Sequence, residues 1–130
     1  MSADVFEFNQ FAGSGRGLQA RAYLPNNLPI LRSYVQSISY EVYNRTDAVS
    51  VGNGSLDISL SMFDTPQAWR KDNKGFYILW TVPGILWPLP DKQYRSVLTV
   101  NLINPFAVYP AFAGKSFKLV WQANTKDPLT

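Results

Sequence analysis

The chain has 130 residues, no Cys, no His and a formal net charge of +3, from 12 Lys and Arg against 9 Asp and Glu. Lacking Cys, it has no disulfide and no thiolate metal site; lacking His, it has neither the commonest general base nor the commonest transition-metal ligand. This length points to one domain, large enough to bury a core without a staple.

Residues 1–17 read as a flexible N-terminal arm. Val5-Phe6-Glu7-Phe8 has the makings of one short strand, and Gly13-Ser14-Gly15-Arg16-Gly17 breaks regular structure after it. That glycine run lacks the Gly-Lys-Ser/Thr ending of a phosphate loop, and no helical pattern follows it. Met1-Ser2-Ala3-Asp4 begins acidic and no apolar segment of signal-peptide type follows, so synthesis in the host cytoplasm is the expectation.

From Leu18 the chain reads as strand after strand, with a β-sandwich over 18–123 and a tail over 124–130. Leu18 to Leu24 alternates partly and stops at Pro25. Val35 to Tyr43 is a β-branched and aromatic run, ended by Asn44-Arg45-Thr46-Asp47. Asn53-Gly54 has the composition of a hairpin turn. Ser55 to Met62 alternates with Leu56, Ile58, Leu60 and Met62 on one face, the period of a sheet wet on one side.

Gly75 to Val82 differs, because Tyr77 and Leu79 make its second face apolar as well. Tyr94 to Ile103 and Ser116 to Ala123 again alternate, with Leu98, Val100, Leu119 and Trp121 inward. No segment has helical periodicity. Seven or eight short strands separated by turn signals predict an all-β fold: a single antiparallel β-sandwich of jelly-roll type.

Composition also bears on function. Eight Phe, seven Tyr and four Trp accompany only 16% charged residues, against roughly 25% in ordinary soluble domains. A small β-rich chain so poor in surface charge is expected to cover part of its surface with other subunits. The connection Pro105 to Gly114 carries Phe106, Val108, Tyr109 and Phe112 and no charge before Lys115, an apolar patch of the kind that marks interaction sites. The expected subunit interface comprises Phe6, Phe8 and Phe11 from the arm, Tyr77 and Leu79 from the two-sided strand, and Phe106, Val108, Tyr109 and Phe112.

Catalytic and ligand readings are weaker. Glu41 and Asp57 fall on wet strand faces with no cleft to hold them. The basic residues are scattered, the densest group being Arg70-Lys71 with Lys74, so no specific nucleic-acid site is expected. No catalytic residue, cofactor or metal is expected, and no run is long enough to span a membrane. The alternative to an assembly protein is a lectin-like attachment module with Trp69 and Trp87 as its sugar platform.

Three blocks carry a resemblance. They are Val35-Gln36-Ser37-Ile38 with Tyr43-Asn44-Arg45-Thr46-Asp47, then Pro66-Gln67 with Lys74-Gly75-Phe76-Tyr77-Ile78-Leu79-Trp80-Thr81-Val82-Pro83, then Ser96-Val97-Leu98-Thr99-Val100-Asn101-Leu102. Together they resemble small virion proteins of tectivirus-like phages with an internal membrane, penton proteins included. The likeness covers Val35 to Val108. It implies a jelly roll that assembles into a ring such as a pentamer, contacts neighbouring capsid or spike subunits, resides in the virion and has no enzymatic activity. The chain departs from that pattern at Asp72-Asn73, where the family has a Pro-Ala-Gly turn, and in lacking the Gln before the Gly-aromatic pair.

Overall fold

The computed structural model describes residues 5–20, 23–24, 28–29, 34–56, 69–72 and 75–127. Among them are eight strands of four or more residues: β1 (Val5–Phe11), β2 (Arg16–Ala20), β5 (Val35–Asn44), β6 (Val49–Leu56), β7 (Trp69–Asp72), β8 (Gly75–Val82), β9 (Gln93–Leu102) and β10 (Ser116–Lys126). Two-residue strands β3 (Tyr23–Leu24) and β4 (Leu28–Pro29) pair with each other. The main sheet has the order β1-β10-β9-β5-β6, and the second sheet the order β2-β8-β7. The result is the expected all-β sandwich.

Alternation builds the core. β9 places Tyr94, Ser96, Leu98, Val100 and Leu102 inward, all buried, and pairs in long antiparallel register with β5 on one side and β10 on the other. Ile38 and Val42 of β5 lie on the same face and are fully buried. Trp80 of β8 joins the layers: its ring lies 6.0 Å from Trp121 of β10 and 5.6 Å from Tyr40 of β5. Leu56 and Leu119 pack against this cluster from its margin. Of the other residues expected in the core, Ile58 and Leu60, the side chain of Ile78, and also Met62 lie outside the described residues.

Three departures from expectation have physical causes. First, residues 5–11 form a strand of the main sheet. β1 pairs in parallel with β10 from Val5 opposite Val120 to Phe11 opposite Lys126. It is the sole parallel pairing among the described strands, and the chain then crosses directly to the second sheet through residues 12–15. Second, β10 runs on to Lys126, where a tail was expected from 124. Thr125 is buried and bonded to the 89–92 connection: its hydroxyl donates to the Leu89 carbonyl (2.6 Å) and accepts from the Lys92 N–H (3.0 Å).

Third, Asn53-Gly54 is not a turn. The β5–β6 hairpin closes at residues 45–48, where the Asn44 side chain accepts from the Asp47 N–H (3.0 Å) and Ala48 takes a positive φ of 57°. Gly54 sits mid-strand opposite Tyr40, and a Cβ there would stand 2.9 Å from the Tyr40 ring. The missing side chain leaves the space that the ring fills.

The Gly13-Ser14-Gly15 segment is also more than a break. A Cβ on Gly84 would fall on the Gly13 carbonyl, and one on Gly15 would lie 2.7 Å from the Val82 carbonyl oxygen. Two backbones therefore cross in direct contact, a use of glycine that needs no special dihedral. The Gly13 N–H donates to the Trp87 carbonyl (2.7 Å) and the Ala12 N–H to the Lys126 carbonyl (2.9 Å).

This crossing is testable. Gly84→Ala meets backbone, which no rotamer change relieves, and should cost about 1–3 kcal/mol, as overpacking does. Gly52→Ala meets only the tip of Leu86, at 3.0 Å, and should cost clearly less. Urea unfolding of both variants decides it: equal losses would show that the crossing is not tightly packed.

Candidate interaction surface

The outer face of the main sheet is polar and internally bonded. Gln122 lies there 3% exposed. Its carbonyl oxygen accepts from Arg45 (2.8 Å) and Arg95 (3.4 Å), and its amide donates to Asn124 (3.2 Å) and Glu7 (3.5 Å). Further along, the Asn101 amide donates to Ser37 (3.0 Å) and its carbonyl accepts from Ser116. Ser39, Glu41, Asn53, Ser55, Thr99 and Lys118 line a shallow depression between them. Glu41 thus stands on an open, wet surface. Asp57 lies outside the described residues.

Exposed apolar side chains stand at the β1 edge of this sheet, where Val5 and Phe11 share the face of Glu7, and off the sheet. β1 carries Val5, Phe6 (52% exposed) and Phe11 (57%). Phe6 borders a groove of about 330 Å³ between the edges of the two sheets, where Arg16, Leu18 and Trp121 also stand. Phe8, from the same strand, is half-buried. Its ring packs edge-on to Trp87 at 5.6 Å, and the Arg16 guanidinium covers it at 4.4 Å, a cation–π contact. Phe8 is therefore an anchor that holds β1 down, while Phe6 and Phe11 are left outward.

The connection between β9 and β10 is divided in the same way. Its neck is closed by hydrogen bonds from Leu102 N–H to the Lys115 carbonyl (2.8 Å) and from Gly114 N–H to the Ile103 carbonyl (3.0 Å). Phe106, expected at the interface, is 1% exposed and packs on Tyr34 at 5.1 Å. It belongs to the core of its own chain, because the closed neck turns the start of the loop inward. Tyr109 and Phe112 are half-buried and meet edge to face at 6.0 Å. Val108 (46% exposed), Ala107, Pro110 and Ala111 form the outer surface. Such compact loops, packed by their own side chains, are a recognised loop class.

The remaining expected site residues fall as follows. Trp87 is fully buried, and its indole N–H donates to the Ser96 hydroxyl (3.0 Å). Its ring offers no face to a sugar, which removes half of the expected platform. Trp69 lies on β7, and Tyr77 and Leu79 lie on β8 in register with Arg70 and Gln19; the side chains of all three lie outside the described residues. Sequence reasoning missed Ile85 and Leu89, exposed in the connection after β8, and Val49, exposed on β6 at the opposite edge of the main sheet from β1. Isolated apolar residues in Pro- and Gly-rich turns give no periodic signal.

No protein-family model matches the chain, and no curated protein is significantly similar to it. Among the described residues no helix is long and apolar enough to cross a membrane.

The Trp87 assignment carries a prediction. Trp87→Phe keeps most of the apolar contact with Phe8 but strands the buried Ser96 hydroxyl, which should cost about 1–3 kcal/mol. Restoring the balance with Trp87→Phe/Ser96→Ala should recover part of that loss. Thermal denaturation of the single and double variants measures it; no recovery would mean that the hydrogen bond is immaterial.

Proposed function

We propose that this chain is a non-enzymatic structural component of a virion, of penton, minor capsid or spike-base type, that self-associates and contacts neighbouring capsid or spike subunits. The observation that carries the reading is the placement of exposed apolar side chains. Val5, Phe6 and Phe11 stand on an edge strand and Val108 on a compact loop, with Val49, Ile85 and Leu89 exposed singly besides. The outer face of the main sheet inward of that edge carries a hydrogen-bonded polar network in which, among the described residues, the Arg95 Nε alone is buried without a partner. Apolar surface in such restricted zones suits subunit contacts. The likeness to tectivirus-like virion proteins supports the same reading, and the ring assembly and jelly-roll connectivity it implies belong to this proposal. The lectin-like alternative gains nothing from a buried Trp87.

Val108 is the residue that separates contact from folding. Val108→Asp places a charge on exposed surface, so stability should change by no more than about 0.5 kcal/mol, while assembly or incorporation into particles should be lost, since a desolvated unpaired charge is costly. Phe106→Ala should instead cost about 3–5 kcal/mol of folding stability. Calorimetry with a particle-incorporation assay checks both. A Val108→Asp chain that is incorporated normally would remove the 105–113 loop from the proposal.

A further inference from the structure

The two edges of the main sheet are built differently. At one edge, β6 carries Gly52 and Gly54, and its pairing with β5 is broken by a register shift at Val42/Tyr43. Bulges and irregular, glycine-bearing strands discourage pairing with another chain. At the other edge, β1 pairs with β10 over seven consecutive positions without a shift. It contains no Pro, Gly or Lys. Among the described strands it has no partner on its outer side, and it exposes Val5, Phe6 and Phe11. Its one charge is Glu7, and only at its end is the backbone capped, where the Phe11 carbonyl accepts from the Ser14 N–H (3.2 Å) and hydroxyl (2.7 Å).

The sequence of β1, Val5-Phe6-Glu7-Phe8-Asn9-Gln10-Phe11, complements itself when reversed about Phe8. An antiparallel pairing of two copies on that centre sets Val5 opposite Phe11 at both ends, so two of the three exposed apolar residues find an apolar partner, while Phe6 stands opposite Gln10, whose side chain has an aliphatic stem. It sets Glu7, the one charged residue of the strand, opposite Asn9, whose amide donates to a carboxylate. No like charges meet. Residues 5, 7, 9 and 11 of both copies share one face of the extended sheet, and residues 6, 8 and 10 share the other.

We infer that the occupant of this edge is β1 of a second copy of the chain, paired antiparallel about a two-fold axis at Phe8. The two main sheets then join into one continuous sheet. The contact is isologous, so it closes at two subunits. It is separate from the 105–113 loop, and a subunit with two such separate contacts can enter an assembly larger than a dimer. The inference deepens the self-association reading and rests on it.

The chain has no native Cys, so cross-linking reads register directly. Directly opposed residues lie within disulfide reach. A mixture of E7C and N9C chains should form cross-linked dimers on oxidation, whereas either variant alone should yield several-fold less. Equal yields in all three samples, or none in the mixture, overturn the pairing. Sedimentation adds a second readout. The V5K/F11K chain sets like charges opposite each other at both ends and should lose this contact, and V5K/F11E should regain it by pairing opposite charges. Circular dichroism confirms that each variant is folded. If V5K/F11K associates as the wild type does, the edge pairing fails while self-association through another surface stands. A wild-type chain that sediments as a monomer overturns the edge pairing and leaves the loop surface to be judged by particle incorporation.

Discussion

The contact on which the sandwich turns is the crossing of Gly13-Ser14-Gly15 over Val82 to Gly84. Two stretches of main chain touch there with no side chain between them. One stretch leaves the edge of the main sheet, and the other leaves the middle strand of the second sheet. Because they meet, the β1–β2 link spans the layers in four residues, leaving β1 from the end that lies beside Lys126 of β10. The same contact brings the Gly13 N–H to the Trp87 carbonyl, and so sets the turn that carries Trp87. Trp87 then fills the end of the core, bonded to Ser96 and packed on Phe8. A bulkier residue at Gly84 would push on all of these at once.

The apolar surplus of the composition is consequently spent in two ways. Part of it thickens the core from unexpected directions: Trp87 enters from a turn, Phe106 from a loop and Phe8 from a strand that the glycine run seemed to cut off. The remainder stays outward in narrow zones. Burial inside the chain is favourable at roughly 25 cal/mol per Å², so residues within reach of the core go in. Those left out, such as Phe6 and Phe11, are held off by geometry. β1 is a sheet edge, and of its phenylalanines only Phe8 packs firmly, on Trp87 and Arg16.

Period-two alternation made much of the fold legible. β5, β8, β9 and β10 lie within a few residues of where alternation puts them, and Trp80, Leu98, Val100 and Trp121 are inward as the pattern requires. Signals without periodicity were read less well. Asn53-Gly54 has turn chemistry, yet the space above Gly54 was needed by Tyr40 on the next strand, a demand visible only once the two are paired. The uncharged 105–113 loop marks an apolar environment correctly, but composition does not distinguish cover by its own chain from cover by another. Phe106 is covered by its own chain, and Val108 stays exposed. Gly15 signals freedom when taken alone and close packing once Val82 to Gly84 lie opposite it, whereas Gly13 does use its freedom, at a φ of 79°.

Sheet edges finally bear on what kind of protein this is. A strand edge offers unpaired backbone donors and acceptors, and a lone small domain has every reason to blunt them. Here the β6 edge is bulged and glycine-bearing, while the β1 edge is regular, long and flanked by exposed phenylalanines. Anchoring sharpens the contrast. Phe8, clamped between Arg16 and Trp87, and the paired backbone of β10 hold β1 in place without covering it. A strand that served only to complete the sandwich would need the anchor and not the outward Phe6 and Phe11. Holding such a strand rigid lowers the entropy that the proposed edge pairing would lose on association.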